Sequence, residues 1–315
     1  MAVALSSWMV LALAESPPIP QASEPLHAWQ ILDVKTGRAV EFDEWMGQLA
    51  AGEVIYLGEE HHNRSHIEAA LKVLEALLQR NRQPFLTLEM FSWDGQVALD
   101  QYLVDPATPR DRFLQESHWE QNWPGSYDDY EPLILFAREH HLPVLAMNPP
   151  RPLVRRVARQ GLTQALADPE MQRWGMTNQL LFDDPGYRKI LTSQLRLCHP
   201  GGSDDVYQRM YEASLFRDEG MAKTITDALS RTRAGDPHGA GPVVSYTGGG
   251  HIQYNLPVPN RVLRREAGSV RQVTVYMLAY EPARTEEVHN LLQEGISDYV
   301  WLTPLSAHGP PRRCG

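Results

Sequence analysis

The sequence predicts an α/β protein, a mainly parallel sheet flanked by helices with a helical insertion or cap. Three observations predict it. Short apolar runs recur along the chain, segments with helical periodicity separate them, and the stretch from about 160 to 235 carries helical patterns but no clear strand. Four runs have the length and composition of buried strands: residues 54–57, 85–88, 143–147 and 243–246, with 273–279 as a fifth. Between the first two, Ile67, Leu71, Leu74, Leu77 and Leu78 repeat at helical spacing with charge on the other face. Val206, Met210, Ser214, Met221, Ile225 and Leu229 predict a long helix near 204–230. Strand–helix–strand alternation implies parallel strands covered on both faces.

The chain has 315 residues, with 29 basic and 39 acidic side chains and a net charge of −10. That balance argues against non-specific binding to nucleic acid or anionic lipid, while leaving room for an anionic ligand in a local basic pocket. Two cysteines, Cys198 and Cys314, are too few for a Cys-rich zinc module or a disulfide scaffold. Cys198-His199 has the ending of a covalent haem-attachment motif, but Leu195 stands where its first cysteine belongs. No solenoid-period repeat, G-x-S-x-G elbow, HExxH or phosphate-binding P-loop occurs.

Residues 1–14 are mostly apolar, and Ala12-Leu13-Ala14 has the small-x-small form of a signal cleavage site. Export to the periplasm or beyond is the expectation, although no basic residue precedes Lys35 and a cytoplasmic location is the alternative. The segment is too short for a membrane span, and no other run approaches 18 apolar residues. Four prolines between Glu15 and Pro25 mark a linker over 15–28. A single domain is expected over 29–304, with its helical insertion at about 160–235, then a disordered tail over 305–315.

In open α/β sheets ligands bind beyond the carboxyl ends of the strands. The residues there are Gly58-Glu59-Glu60-His61-His62-Asn63, Glu89-Met90-Phe91, Asn148-Pro149-Pro150-Arg151 and Gly248-Gly249-Gly250-His251. Two of these segments share the form Gly-x-x-His. Glycine permits a sharp exit from a strand, and the histidine can then point back over its end. Glu59, His61, Glu89 and His251 therefore form a candidate set, suited to Zn²⁺, Mn²⁺ or Fe²⁺ or to general acid–base chemistry without metal. Glu60 is a further carboxylate at the same turn.

Glu89, following an apolar run, must be paired or perturbed, with Arg151 or Arg217 as structural partners. Asn148 and Arg151 are candidates for orienting an anionic ligand group. Asn63 is a good N-cap, which leaves His62 outside the helix and makes the His62–His66 pair a weak metal candidate. His66, His118, His140, His141 and His199 are read as structural. Trp119, Trp123, Tyr127 and Tyr130 form an aromatic stretch, read as packing or as a wall for a flat apolar ligand.

Taken in order, Leu57-Gly-Glu-Glu-His-His-Asn63, Leu88-Glu-Met-Phe91, Tyr130-Glu-Pro-Leu-Ile-Leu, Met147-Asn-Pro-Pro-Arg151, Arg217-Asp-Glu-Gly-Met-Ala222 and Gly248-Gly-Gly-His251 resemble the ChaN-like haem-binding uptake proteins of the Tiki/TraB/erythromycin-esterase superfamily. The resemblance spans about 54–260. It implies an α/β fold with a helical elaboration, an envelope location, a role in haem or iron acquisition, and haem or a related tetrapyrrole held in some members between two subunits. It thus implies a homodimer. Candidate ligand-binding residues are His61, His62, Asn148, Arg151 and His251, with Arg151 or Arg155 for the propionates. Related branches hydrolyse esters or peptides, and Glu59, His61, Glu89 and His251 match that shared site, with His62 as the counterpart in the esterase branch. Binding of haem is the leading expectation and hydrolysis, with or without a divalent metal, the alternative. The chain lacks the lipoprotein cysteine that many ChaN-like proteins carry.

Overall fold

The computed structural model describes residues 25–177, 179, 181–235 and 241–306. The expected leader at 1–14, nearly all of the proline-rich stretch and the tail beyond 306 lie outside the described residues. The elements in chain order are β1 (Ile31–Asp33), β2 (Arg38–Val40), α1 (Phe42–Leu49), β3 (Val54–Glu59), α2 (Arg64–Gln79), β4 (Phe85–Ser92), α3 (Gln96–Val104), α4 (Arg110–Glu116), α5 (Trp119–Asn122), α6 (Glu131–Glu139), β5 (Val144–Asn148), α7 (Arg151–Gln160), α8 (Leu162–Ala165), α9 (Pro169–Arg173), α10 (Pro185–Cys198), α11 (Asp204–Arg233), β6 (Val243–Gly248), α12 (Val258–Arg265), β7 (Gln272–Tyr280), α13 (Thr285–Glu294) and β8 (Tyr299–Pro304).

One eight-stranded sheet runs in the order β2-β1-β8-β7-β3-β6-β4-β5. The six strands from β8 to β5 are mutually parallel, and β1 pairs antiparallel with both β8 and β2. The α/β class and mainly parallel sheet are as the sequence predicts. The edge hairpin and β8 were not among the expected strands. β1 and β2 are three residues each, too short for a periodicity to register.

Alternate residues of the central strands enter different cores. Ile55, Leu57, Leu86 and Leu88 pack with α1, α2 and α6, whereas Val54, Tyr56, Phe85 and Met147 pack with α11 and α12. Both faces are therefore dry, which explains the unbroken apolar runs. Helices α7 to α11 occupy the connection from β5 to β6, where the sequence predicted a helical cap. The 30-residue α11 crosses it very closely: a Cβ on Gly220 would lie 2.2 Å from Cγ of Pro149. Only glycine lets the helix close on the Pro149 ring just beyond β5, and this places Arg217 and Asp218 near the strand ends. No helix among the described residues is long and apolar enough to cross a membrane.

Candidate functional site

The strands reach further than their apolar runs. β3 continues through Glu59 and β4 through Ser92, so Glu59 and Glu89 lie inside strands, rather than after them as the sequence suggested. Parallel neighbours supply the backbone partners that carry each strand past its apolar stretch. Glu59 is aligned with Gly248 in the β3–β6 register. Between β4 and β5 the pairing jumps from Leu88↔Ala146 to Ser92↔Asn148, and Glu89 begins the irregular stretch.

Glu59 is buried, and its carboxylate accepts from Tyr130 Oη at 2.9 Å and Tyr246 Oη at 2.7 Å and faces His61 Nδ1 at 2.7 Å. From the sequence, Tyr130 reads as packing or a ligand wall and Tyr246 only as a strand residue; neither reads as a partner of Glu59. His61 is the exposed member, its side chain 42% accessible, with the ring edge-on to Trp123 at a centroid distance of 4.9 Å. Its Nε2 has no hydrogen-bond partner among the described residues. Gly248 is needed beneath it, since a Cβ there would lie 2.8 Å from Cε1 and 2.9 Å from Nε2 of the ring.

Glu89 is the hub. Thr247 Oγ1 donates to it at 2.7 Å, and the Gly248 backbone N–H and Arg217 Nη2 also donate. His251 Nε2 stands 3.4 Å away. Of the two structural partners expected for Glu89, Arg217 is the one found. Asn148 ties the hub together, donating to the Glu89 carbonyl and accepting from Arg217 Nε at 2.9 Å.

Behind His251 lies a second buried carboxylate that the sequence reading missed. Nδ1 of His251 is 2.6 Å from Asp218, whose other oxygen accepts from Tyr187 Oη. Asp218 comes from α11 and Tyr187 from α10. Asp218 lies in the Arg217-Asp-Glu-Gly-Met-Ala222 motif, but nothing local says that it turns toward a strand end 33 residues away along the chain.

Burial works against charge on both histidines, yet their carboxylates prevail. The hydrogen bond and charge of Glu59 raise the pKa of His61, and Glu89 and Asp218 bring that of His251 to about 9. Burial would lift Glu89, but His251 and Arg217 hold its carboxyl well below the usual range. Burial, with Glu59 alongside, raises the phenols of Tyr130 and Tyr246, so both remain hydrogen-bond donors.

The remaining candidates separate clearly. His62 lies outside α2, at φ +65°, while Asn63 caps the helix by accepting from Ser65 N at 3.0 Å. The His62 ring faces Asp129 at 3.2 Å and lies 6.3 Å from the His61 ring centroid. Glu60 is not part of this cluster and forms an ion pair with Arg284 at 2.7 Å. His66 is structural: it is fully buried, and its Nδ1 accepts from Glu60 N at 3.1 Å. Arg151 opens α7 and donates to the Gln121 carbonyl at 2.6 Å.

The divalent-metal reading of Glu59, His61, Glu89 and His251 is not supported. Among the described residues no three His, Cys, Asp or Glu side chains are arranged to hold a metal ion. The physical reason is that the two glutamates are engaged by tyrosine, threonine, arginine and backbone donors, and Nε2 of His251 faces Glu89, which leaves no converging set of open donor atoms among the described residues.

Comparison with known proteins adds to this geometry. The family model described as "Haem-binding uptake, Tiki superfamily, ChaN" matches residues 45–262. Among solved structures, ChaN of Campylobacter jejuni, described for cofacial heme binding, superposes with a TM-score of 0.64 at 20% identity, covering 89% of this chain and 97% of that one. That likeness establishes a shared fold. Among curated proteins, the chloroplastic RETICULATA-RELATED 5 of Arabidopsis thaliana is 25% identical across 81% of this chain, which spans only 35% of that protein's length.

Proposed function

Since the chain belongs to the haem-binding uptake family of the Tiki superfamily, ChaN, we propose that it binds haem or a related tetrapyrrole at this site, where His61 would hold the iron. One observation carries the reading. His61 is half exposed and held through Nδ1 by a buried carboxylate, and its Nε2 has no hydrogen-bond partner among the described residues. An imidazole oriented in this way by a carboxylate is preorganised as an iron ligand, and the carboxylate raises its basicity. Glu59 is in turn fixed by Tyr130 and Tyr246, and Trp123 offers an aromatic edge beside the ring. Asn148 holds Arg217 in place, and Arg151 at the rim suits a propionate. His62 is the second imidazole within reach. Haem, when bound, would supply an iron centre for carriage or redox chemistry. The apolar run at 1–14 supports export, and a two-subunit assembly and a role in haem or iron uptake belong to the same proposal.

Hemin titration of the purified protein tests the reading. The expected result is a shifted Soret band at a few equivalents, lost in His61→Ala and retained in His62→Ala. No shift in the unaltered protein would remove the proposal. Loss in His62→Ala alone would move the ligand to His62.

A second reading is favoured by one specific feature. Two imidazoles, each backed at Nδ1 by a buried carboxylate, flank Glu89. Such an arrangement suits hydrolysis of an ester or peptide, with neutral His61 accepting a proton from water and the imidazolium of His251 donating one to the leaving group. A substrate screen with His61→Ala as control tests it. Activity that survives the substitution would dispose of this assignment.

A further inference from the structure

Glu219, next to Asp218 on α11, belongs to a second cluster that shares no residue with the one around His61 and Glu89. Its carboxylate accepts from the Phe182 N–H at 2.9 Å and from Arg265 Nη2 at 2.8 Å, and Arg261 Nε stands 3.3 Å away. Arg261 is buried and donates to the carbonyls of Pro257 at 2.8 Å and Phe182 at 3.2 Å. Arg264, on the same helix α12, is exposed, and its Cζ lies 3.3 Å from the centroid of the Phe182 ring. Together Phe182, Glu219, Arg261, Arg264 and Arg265 line a cavity of about 190 Å³.

Two properties of this cavity go unexplained by packing. The first is charge: Glu219 is the one carboxylate in the described lining, against three guanidiniums. The second is unfilled donors. Nε of Arg261 and Nε of Arg265 are buried with no hydrogen-bond partner among the described residues, and Arg264 makes no hydrogen bond or ion pair with a described residue. Burying a charged donor unpaired is costly. Basic residues suit the last turn of a helix, where Arg264 and Arg265 stand. That preference is satisfied by side chains extended into solvent, and it does not require them to converge with a buried arginine on one cavity.

We propose that this cavity binds a phosphate group, as the free ion or as a phosphomonoester, between Arg264 and Arg265, with Arg261 supplying positive charge from behind. A dianion matches the two guanidiniums left over once Glu219 has neutralised one. Planar guanidiniums present paired N–H groups that fit phosphate oxygens. Arg264 is the exposed member and stands at the entrance. The inference does not depend on haem being the ligand of the His61 site.

Isothermal titration of the full chain with inorganic phosphate and, separately, phenyl phosphate tests the proposal, at low ionic strength and at pH 8, where both are mainly dianionic. The expected result is saturable one-to-one binding that weakens at least tenfold in Arg264→Gln. Because Arg264 is exposed, the variant should melt at the same temperature as the unaltered chain when phosphate is absent. Tighter binding of phenyl phosphate supports a monoester as the occupant, and tighter binding of inorganic phosphate supports the free ion. Absence of saturable binding of either above a chloride control overturns the proposal, as does binding unchanged in Arg264→Gln. Binding lost in Arg151→Gln but kept in Arg264→Gln would place the anion beside His61 and overturn it as well.

Discussion

His251 and Asp218 face each other at 2.6 Å, joining the glycine turn after β6 to the middle of α11. Through this contact, and through Glu89 on its other side, His251 keeps its proton to about pH 9. The sign follows from linkage. The folded-state pKa lies above the unfolded value of 6.5, so the stabilisation is complete below pH 6.5 and disappears as the pH rises through 9. Asp218→Asn should move the His251 titration downward, read from its imidazole proton shifts. It should also flatten the loss of urea stability between pH 6.5 and 9. A His251 titration unmoved by the substitution would show that Asp218 does not hold the proton.

Glu89→Ala should be the most destabilising single change in the cleft. It strands Arg217 and His251 without their shared counter-charge and frees Thr247 and the Gly248 N–H. Removing one member of a buried ion pair costs about 3–5 kcal/mol. Urea midpoints at pH 7 measure it, and a loss within 1 kcal/mol, as for exposed pairs, would contradict the hub role.

Gly248→Ala separates site from fold. The added methyl would lie 2.8 Å from the His61 ring, and φ at this position is −61°, so the backbone itself accepts alanine. Because His61 is half exposed, its ring can yield, and the stability cost should stay within about 1 kcal/mol. Hemin affinity should nevertheless fall, since the displaced ring loses its alignment with Glu59. Unchanged thermal stability with a weaker Soret response is the expected pair of results.

His66 gives an acid-side prediction. Burial lowers its pKa from 6.5 to about 3, so the unfolded chain takes up a proton that the folded one refuses. Its contribution therefore erodes as the pH falls below 6.5. His66→Leu removes this erosion but leaves Glu60 N unpaired, a cost of about 1–2 kcal/mol. The variant should be less stable at pH 7 and close the gap by pH 4, as urea titrations at the two pH values would reveal.

Hemin affinity should also depend on pH. Iron needs the neutral ring of His61, and its raised pKa means that a proton competes below neutrality. Spectroscopic titrations should give weaker binding at pH 6 than at pH 8.

The sequence carried the central strands, α2 with its Asn63 cap, α11, and the two Gly-x-x-His turns, because each is written in a local pattern. Glu89 and Arg217 could be paired in advance only as one option of two, since their meeting depends on how α11 crosses the sheet. Asp218, Tyr187 and Tyr246 were invisible for a related reason. In the sequence an acidic residue in a long amphipathic helix looks like solvent-facing charge, and a tyrosine in an apolar strand looks like core. A signal that points to Asp218 lies beside it at Gly220: a glycine in mid-helix is costly unless something packs against it too closely for a Cβ, here the Pro149 ring. The metal reading went too far because residue types alone do not say which lone pairs are already filled.

The contact of Gly220 with Pro149 has a kinetic corollary. Arg217 reaches Glu89 across a sequence separation of 128, and the Gly248 N–H reaches it across 159. Such distant partners meet late, after the loop-closure entropy between them has been overcome. The titration of His251 therefore reports on the finished topology: a collapsed intermediate with its strands in place but α11 undocked would keep Glu89 beside the ring but lack Asp218 and Arg217, and its His251 would titrate differently from that of the complete fold.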